Sequence, residues 1–224
     1  MMNKQMNVVR GRFIAVEGVD GAGKGVQSRL LQAALQQCGL EVVLTREPGG
    51  SPGAEEIRTL LVRGAADKWD AMTELLLIYA ARRNHLQQTI EPALQAGCWV
   101  ISDRFADSSR AFQGCAGGLG LELVEQVHAL AVGSFAPDLT LVLDLDPATA
   151  LARTVVRGGS EDRFEKKGLR YQEAVREGFR LLARRSPATH ALIDAGTSVE
   201  AVHAAIRHTV ATRLQLPDLQ KACP

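Results

Sequence analysis

Residues 13–25 read Phe-Ile-Ala-Val-Glu-Gly-Val-Asp-Gly-Ala-Gly-Lys-Gly. An apolar, partly β-branched run (Phe13 to Glu17) leads into Gly18-Val-Asp-Gly-Ala-Gly23-Lys24, and an amphipathic stretch from Lys24 to Cys38 follows. This is the GxxxxGK pattern in the strand-loop-helix context that gives it meaning. Gly21 and Gly23 allow the backbone to curl so that successive N–H groups face inward, and the start of the helix adds its positive dipole end. Gly18, Val19, Asp20, Gly21, Ala22, Gly23, Lys24 and Gly25 are therefore expected to bind the phosphates of a nucleotide, with Lys24 neutralising the outer ones. One position breaks the pattern: Gly25 stands where Ser or Thr ordinarily follows the lysine and ligates Mg²⁺. Ser28 is too far along the helix to replace it, so a metal must rely on phosphates, water and the carboxylates of Asp103, Asp20 or Glu17. Glu17 is equally readable as a buried carboxylate that hydrogen-bonds the loop.

Outward from this segment, short β-branched runs alternate with longer helical patterns, as in a parallel sheet covered by helices on both faces. Five strands are expected at Phe13–Glu17, Glu41–Thr45, Trp99–Asp103, Leu139–Asp144 and Ala191–Asp194. The expected helices are Lys24–Cys38, Pro52–Val62, Ala71–Ala96, Leu119–Ser134, Pro147–Val156, Leu169–Arg185 and Val199–Leu214. Ligands in such folds bind at the carboxyl ends of the strands, which collects Glu17, Gly18, Asp103, Arg104 and Asp144 along one rim.

The 224 residues, 46% apolar, suit one large domain, with polar and flexible ends at 1–10 and 216–224. Lys plus Arg (26) nearly balances Asp plus Glu (25), which argues against a nucleic-acid-binding field. Cys38, Cys98, Cys115 and Cys223 show no metal-binding spacing and fit a reducing compartment. No apolar run reaches 18 residues, and Met1–Arg12 lacks a signal-peptide pattern, so a soluble, cytoplasmic protein without a membrane partner is expected.

The strings EGVDGAGK, TREPGG, YAAR, SDRF and SSRAFQG occur here in the order seen in bacterial thymidylate kinases, and the chain resembles that family along almost its whole length. The resemblance implies the P-loop nucleoside monophosphate kinase fold, a homodimer, ATP with Mg²⁺ as donor, dTMP as acceptor, and a lid. Carried over by position, Arg46 and Arg104 are implied to grip the dTMP phosphate, as paired guanidinium donors can. Pro48, Gly49 and Gly50 would pass close to the nucleotide or simply turn the chain. Arg82 would donate to the thymine ring, Ser109 would contact the base, and Gln113 would join the substrate site. Phe112 would lie beneath the sugar, with a core role as its alternative; Tyr79 is expected in the core. Asp20 would touch the sugar hydroxyl or orient the acceptor, and Asp103 would hold Mg²⁺ through water.

A polar, glycine-punctuated stretch at 153–168 reads as the lid. The phosphate loop lacks the arginine that one class of the family carries there, so the transition-state charge should fall to Arg153, Arg157 or Arg163, with Arg157 and Arg153 favoured. A different nucleoside monophosphate acceptor, or a catalytically silent nucleotide-binding protein, are the alternatives. A GTPase is disfavoured because no NKxD string follows a strand.

Overall fold

A computed structural model describes residues 9–157, 163–164 and 167–221. Strand β1 (Phe13–Gly18) runs into the phosphate loop and α1 (Lys24–Gln37), followed by β2 (Val42–Arg46), α2 (Pro52–Val62) and α3 (Ala71–His85). A π-helical stretch, Leu86–Ile90, carries α3 into α4 (Glu91–Gln95), so the expected Ala71–Ala96 helix is continuous but widened in its course. The widening falls just before Pro92, whose ring would otherwise meet the carbonyl four residues earlier. Next come β3 (Trp99–Asp103), α5 (Ala106–Ser109) with π-helical turns at Arg110–Ala116, α6 (Leu121–Val132), β4 (Leu139–Asp144) and α7 (Pro147–Arg157). The chain ends with α8 (Leu169–Arg185), β5 (His190–Asp194), α9 (Val199–Arg213) and α10 (Asp218–Lys221).

The five strands form one parallel sheet in the order β2-β3-β1-β4-β5. Alternation along β1 assigns its two faces: Ile14 and Val16 pack with Leu31 and Leu35 of α1 and Val202 and Ile206 of α9. Phe13 and Ala15 pack on the opposite side with Leu86, Ile90 and Leu94. Both faces are thus covered, which is why the central strands are apolar throughout.

The helical stretch Ala106–Ala116 is one the expected list lacks. Its residues are buried or half-buried and none is exposed, so it carries no amphipathic stripe from which a helix can be read. It follows β3 directly and places Ser109, Phe112 and Gln113 over the rim of the sheet.

Candidate active site

A cavity of about 770 Å³ opens at the carboxyl ends of β1, β2 and β3. Of the residues singled out from the sequence, it gathers Asp20, Gly21, Gly23, Lys24, Gly25, Arg46, Pro48, Arg82, Asp103, Arg104, Ser109, Phe112, Gln113 and Arg153. Seven cationic side chains line it (Lys24, Arg29, Arg46, Arg58, Arg82, Arg104 and Arg153) against the carboxylates of Asp20, Glu47 and Asp103, a balance suited to phosphate anions.

In the phosphate loop, Gly18, Gly21 and Gly23 all have positive φ. At Gly18 the requirement is also steric, since a Cβ would come within 2.5 Å of the Leu143 carbonyl oxygen on β4. Val19 and Ala22 are buried, so the loop presents backbone rather than side chain. Lys24 is buried as well, and its Nζ donates to the Val19 carbonyl at 2.9 Å, folded across the loop. Burial, with a contribution from the nearby Arg104, lowers its pKa to about 8, against the opposing pull of Asp103, Asp20 and Glu17. A phosphate anion in the loop favours the charged ammonium and reverses that shift.

Glu17 is fully buried, and both oxygens are engaged: Oε1 accepts from the N–H groups of Phe105 (2.8 Å) and Ser108 (3.1 Å), and Oε2 is 2.6 Å from Ser108 Oγ. It does not line the cavity. Burial, aided by Asp107, raises its pKa to about 7 despite these hydrogen bonds and Arg104. The geometry is that of a carboxylate fastening the start of α5 to β1.

Arg104 sits in the αL region with φ 75°, unusual for a side chain of this size. That backbone turns its guanidinium back over the phosphate loop, where it donates to the Gly18 carbonyl (3.0 Å), Asp20 Oδ1 (2.6 Å) and Ser108 Oγ (2.9 Å). The same group lies 5.0 Å above the Phe112 ring. Phe112 is 5% exposed and packs edge-on against Phe164, Tyr171 and Phe179, so it belongs to the core and to the cavity wall at once.

Arg82 is buried at the end of α3's cavity face. It donates to Glu47 Oε2 (2.7 Å), Ser109 Oγ (3.0 Å) and the Phe105 carbonyl (2.9 Å). His85 and Thr45 extend this network, with His85 Nδ1 at 3.2 Å from Glu47 Oε1 and Nε2 at 2.7 Å from Thr45 Oγ1. Gln113 is buried and faces the cavity; its Nε2 donates to Glu74 Oε2 at 3.1 Å, while its Oε1 has no hydrogen-bond partner among the described residues. Arg46 is the exposed member, paired with Glu55 at 3.1 Å. Tyr79 is buried as expected, its hydroxyl 3.2 Å from His128 Nδ1.

Two rim and lid candidates lie elsewhere. Asp144 is held by Arg176 (2.6 Å) and Arg180 (2.8 Å) on α8 and does not line the cavity. Arg163 is fully buried against the α2–α3 connection, donating to the carbonyls of Leu61, Ala65, Ala66 and Trp69 and to Glu74, and it too is absent from the cavity wall. Arg153 on α7 is exposed and lines the cavity. The Arg157 side chain, and residues 158–162 and 165–166 of the expected lid, lie outside the described residues. Sequence reading overlooked Glu47, Ser108, Arg58 and Arg29, of which Glu47 and Ser108 had a signal, their places inside TREPGG and SSRAFQG.

At Gly25, a Cβ would stand 3.4 Å from Asp103 Oδ2 and 3.6 Å from an Arg29 guanidinium nitrogen. Asp103 thus flanks the position where the usual hydroxyl would project. Among the described residues no three His, Cys, Asp or Glu side chains converge as a metal cage. A hard cation bound with nucleotide fits this arrangement, taking phosphate and water oxygens with Asp103 as the adjacent carboxylate.

The family model for thymidylate kinase matches residues 16–206. The chain is 52% identical over 204 residues to the thymidylate kinase of Ruegeria pomeroyi, covering 91% of this chain and 96% of that protein. It is 48% identical over 209 residues to that of Caulobacter vibrioides, covering 93% and 100%. The crystal structure of thymidylate kinase from Ehrlichia chaffeensis matches with a TM-score of 0.73 at 31% identity, covering 90% of this chain and 99% of that one. Matched by the family model over most of its length and by these relatives over nine-tenths of it, the chain belongs to the thymidylate kinase family.

Proposed function

We propose that the protein transfers the terminal phosphoryl group of ATP, bound with Mg²⁺, to dTMP, giving ADP and dTDP. The observation that carries this is Arg104, whose guanidinium touches the phosphate loop at Gly18 and Asp20 and the acceptor side at Ser108 and Phe112. A cation so placed can bind the acceptor phosphate beside the donor's. Lys24 and the loop N–H groups take the donor phosphates, Arg46 and Arg104 the acceptor phosphate, and Asp20 keeps Arg104 aimed. The acceptor oxygen is already nucleophilic, so alignment and charge neutralisation are the protein's work. Mg²⁺ supplies further neutralisation of the phosphates when bound, beside Asp103. Arg153 and Arg157 are the arginines proposed to meet the charge that develops on the transferring group.

At the other end, Arg82 offers donors and Gln113 Oε1 an unmatched acceptor. Thymine presents the complementary pair, an O4 acceptor beside an N3–H donor. Phe112 walls the sugar side, where bulk disfavours a 2′-hydroxyl. Initial rates of ADP release with dTMP, dUMP, dCMP, dAMP and dGMP test the proposal. Turnover should be greatest with dTMP, and no turnover with any acceptor would favour a silent nucleotide-binding protein.

A homodimer is part of the same proposal. Leu76 of α3 (54% exposed) and Leu130 of α6 (88% exposed) stand on neighbouring helices and offer apolar surface for a second copy. Sedimentation should give twice the 24.1 kDa chain mass. Among the described residues no helix is long and apolar enough to cross a membrane, and a cytoplasmic location is the one we propose.

A further inference from the structure

Glu74, in the first turn of α3, is fully buried and serves three donors. Its Oε1 accepts from Arg163 (2.6 Å) and Lys167 Nζ (2.7 Å), and its Oε2 accepts from Gln113 Nε2 (3.1 Å). Arg163 is immobilised in turn by the carbonyls of Leu61, Ala65, Ala66 and Trp69, at 3.0 to 3.3 Å. A carboxylate already accepting from two cations has only acceptor capacity to offer Gln113, so the Gln113 amide has one satisfactory orientation. Its NH₂ faces Glu74, and its carbonyl oxygen is left buried without a hydrogen-bond partner among the described residues, on a side chain that lines the cavity.

We propose that Glu74, locked by Arg163, is a positioning residue that sets base preference by fixing Gln113 as an acceptor. The inference rests on the proposed contact between Gln113 and the acceptor base. An acceptor at that point matches the N3–H of thymine or uracil. Cytosine carries an acceptor at N3, so two lone pairs would face each other in a buried site. Neither Glu74 nor Arg163 lines the cavity, yet both act on selectivity through the direction of one amide. With Glu74→Gln the partner can donate as well as accept, the Gln113 amide can turn over, and its NH₂ can then meet the cytosine N3.

The test compares Glu74→Gln, Arg163→Lys, Gln113→Ala and the double variant Glu74→Gln/Gln113→Ala. Calorimetric Kd values for dTMP and dCMP are measured on each, together with kcat/KM for both. Gln113→Ala should weaken dTMP about tenfold. Glu74→Gln should narrow the dTMP-over-dCMP ratio by about tenfold, with dCMP binding as well as or better than to the wild-type protein. In the Gln113→Ala background the same change should leave the ratio untouched. Arg163→Lys keeps the charge, loses the carbonyl anchors and should narrow the ratio in the same direction by a smaller factor, which covers the case of a Glu74 variant that does not fold. If Gln113→Ala alters the ratio while Glu74→Gln and Arg163→Lys scale both nucleotides equally, the positioning role is wrong and the base contact survives. If Gln113→Ala leaves dTMP binding unchanged, the base contact fails and the inference falls with it.

Discussion

Arg82 Nε lies 2.7 Å from Glu47 Oε2, with both side chains almost completely buried. The pair joins the loop after β2 to α3, and the guanidinium is further sandwiched near the rings of Tyr79 (4.5 Å) and Phe105 (5.2 Å). Glu47→Gln preserves shape but leaves a buried guanidinium without its counter-charge, which costs about 3–5 kcal/mol when one partner of such a pair is lost. The variant should melt well below the wild-type protein, and its KM for dTMP should rise at least about tenfold while KM for ATP changes little. A wild-type KM for dTMP, measured on folded protein, would show that Arg82 reads the base without help from Glu47.

Arg104 combines a strained backbone with contacts to both halves of the cavity. Arg104→Lys keeps a charge but cannot bridge Gly18, Asp20 and Ser108 with one planar fork. Steady-state kinetics should show kcat/KM for dTMP down about 100-fold, with the KM for ATP within about threefold. An equal loss in both KM values would place Arg104 on the donor phosphates instead.

The strand-loop-helix around Lys24 was readable because everything it needs is local: an apolar strand, glycines at tight spacing and a helix start. The five strands were readable for the same reason, being apolar runs of ordinary length. The network behind the cavity was not, because its partners are far apart in sequence. Glu47 finds Arg82 across 35 residues, and Glu74 finds Gln113 across 39 and Arg163 across 89. Asp144 and Asp103 look alike as strand-end carboxylates. Only the fold shows that Arg176 and Arg180, one turn apart on α8, capture the former. Arg163 resembled a solvated lid arginine by composition, and its burial depends on carbonyls left free at the end of α2.

Glu17 makes a pH signature. Its folded pKa of about 7 lies above the value near 4.5 of an unfolded chain, so the folded state holds more protons between these limits. Its contribution to stability is present below about pH 4.5 and is lost as pH rises through 7, at up to about 1.4 kcal/mol per pH unit. His128 runs the other way: burial, chiefly, lowers it from 6.5 to about 4, so its contribution is lost as pH falls through that window. The two partly cancel in the wild-type melting curve. Glu17→Gln removes one of them, so the difference in Tm between variant and wild type should grow in the variant's favour from pH 5 to pH 8. A pH-independent difference would mean that Glu17 titrates normally.

Gly25 leaves room for the missing hydroxyl, since the nearest atom to a new Cβ is Asp103 Oδ2 at an ordinary 3.4 Å. Gly25→Ser should therefore fold, gaining roughly 0.5 kcal/mol from removing a helical glycine. Its hydroxyl would project beside Asp103 and lower the Mg²⁺ concentration for half-maximal rate, with kcat equal to or above wild type. An unchanged magnesium profile would show that Asp103, phosphate and water already satisfy the metal.

Arg153 is the described lid-side arginine that reaches the cavity wall, approaching from α7 rather than from the β3 side that carries Arg104. Arg163 is fully buried, is held by α2–α3 carbonyls and Glu74, and does not line the cavity, so it is not placed to meet a phosphoryl group at the loop. We therefore propose that the charge spread over the equatorial oxygens of the transferring group falls to Arg153 and Arg157. Loss of one such donor typically costs about 100- to 1,000-fold in kcat. Arg153→Ala and Arg157→Ala should be measured with both substrates saturating, and at least one should fall in that range with KM values within about threefold. The variant with the larger loss identifies the arginine that meets the transition state. Wild-type kcat in both would move that duty to Arg104 or Lys24, the cations already in contact with the phosphate loop.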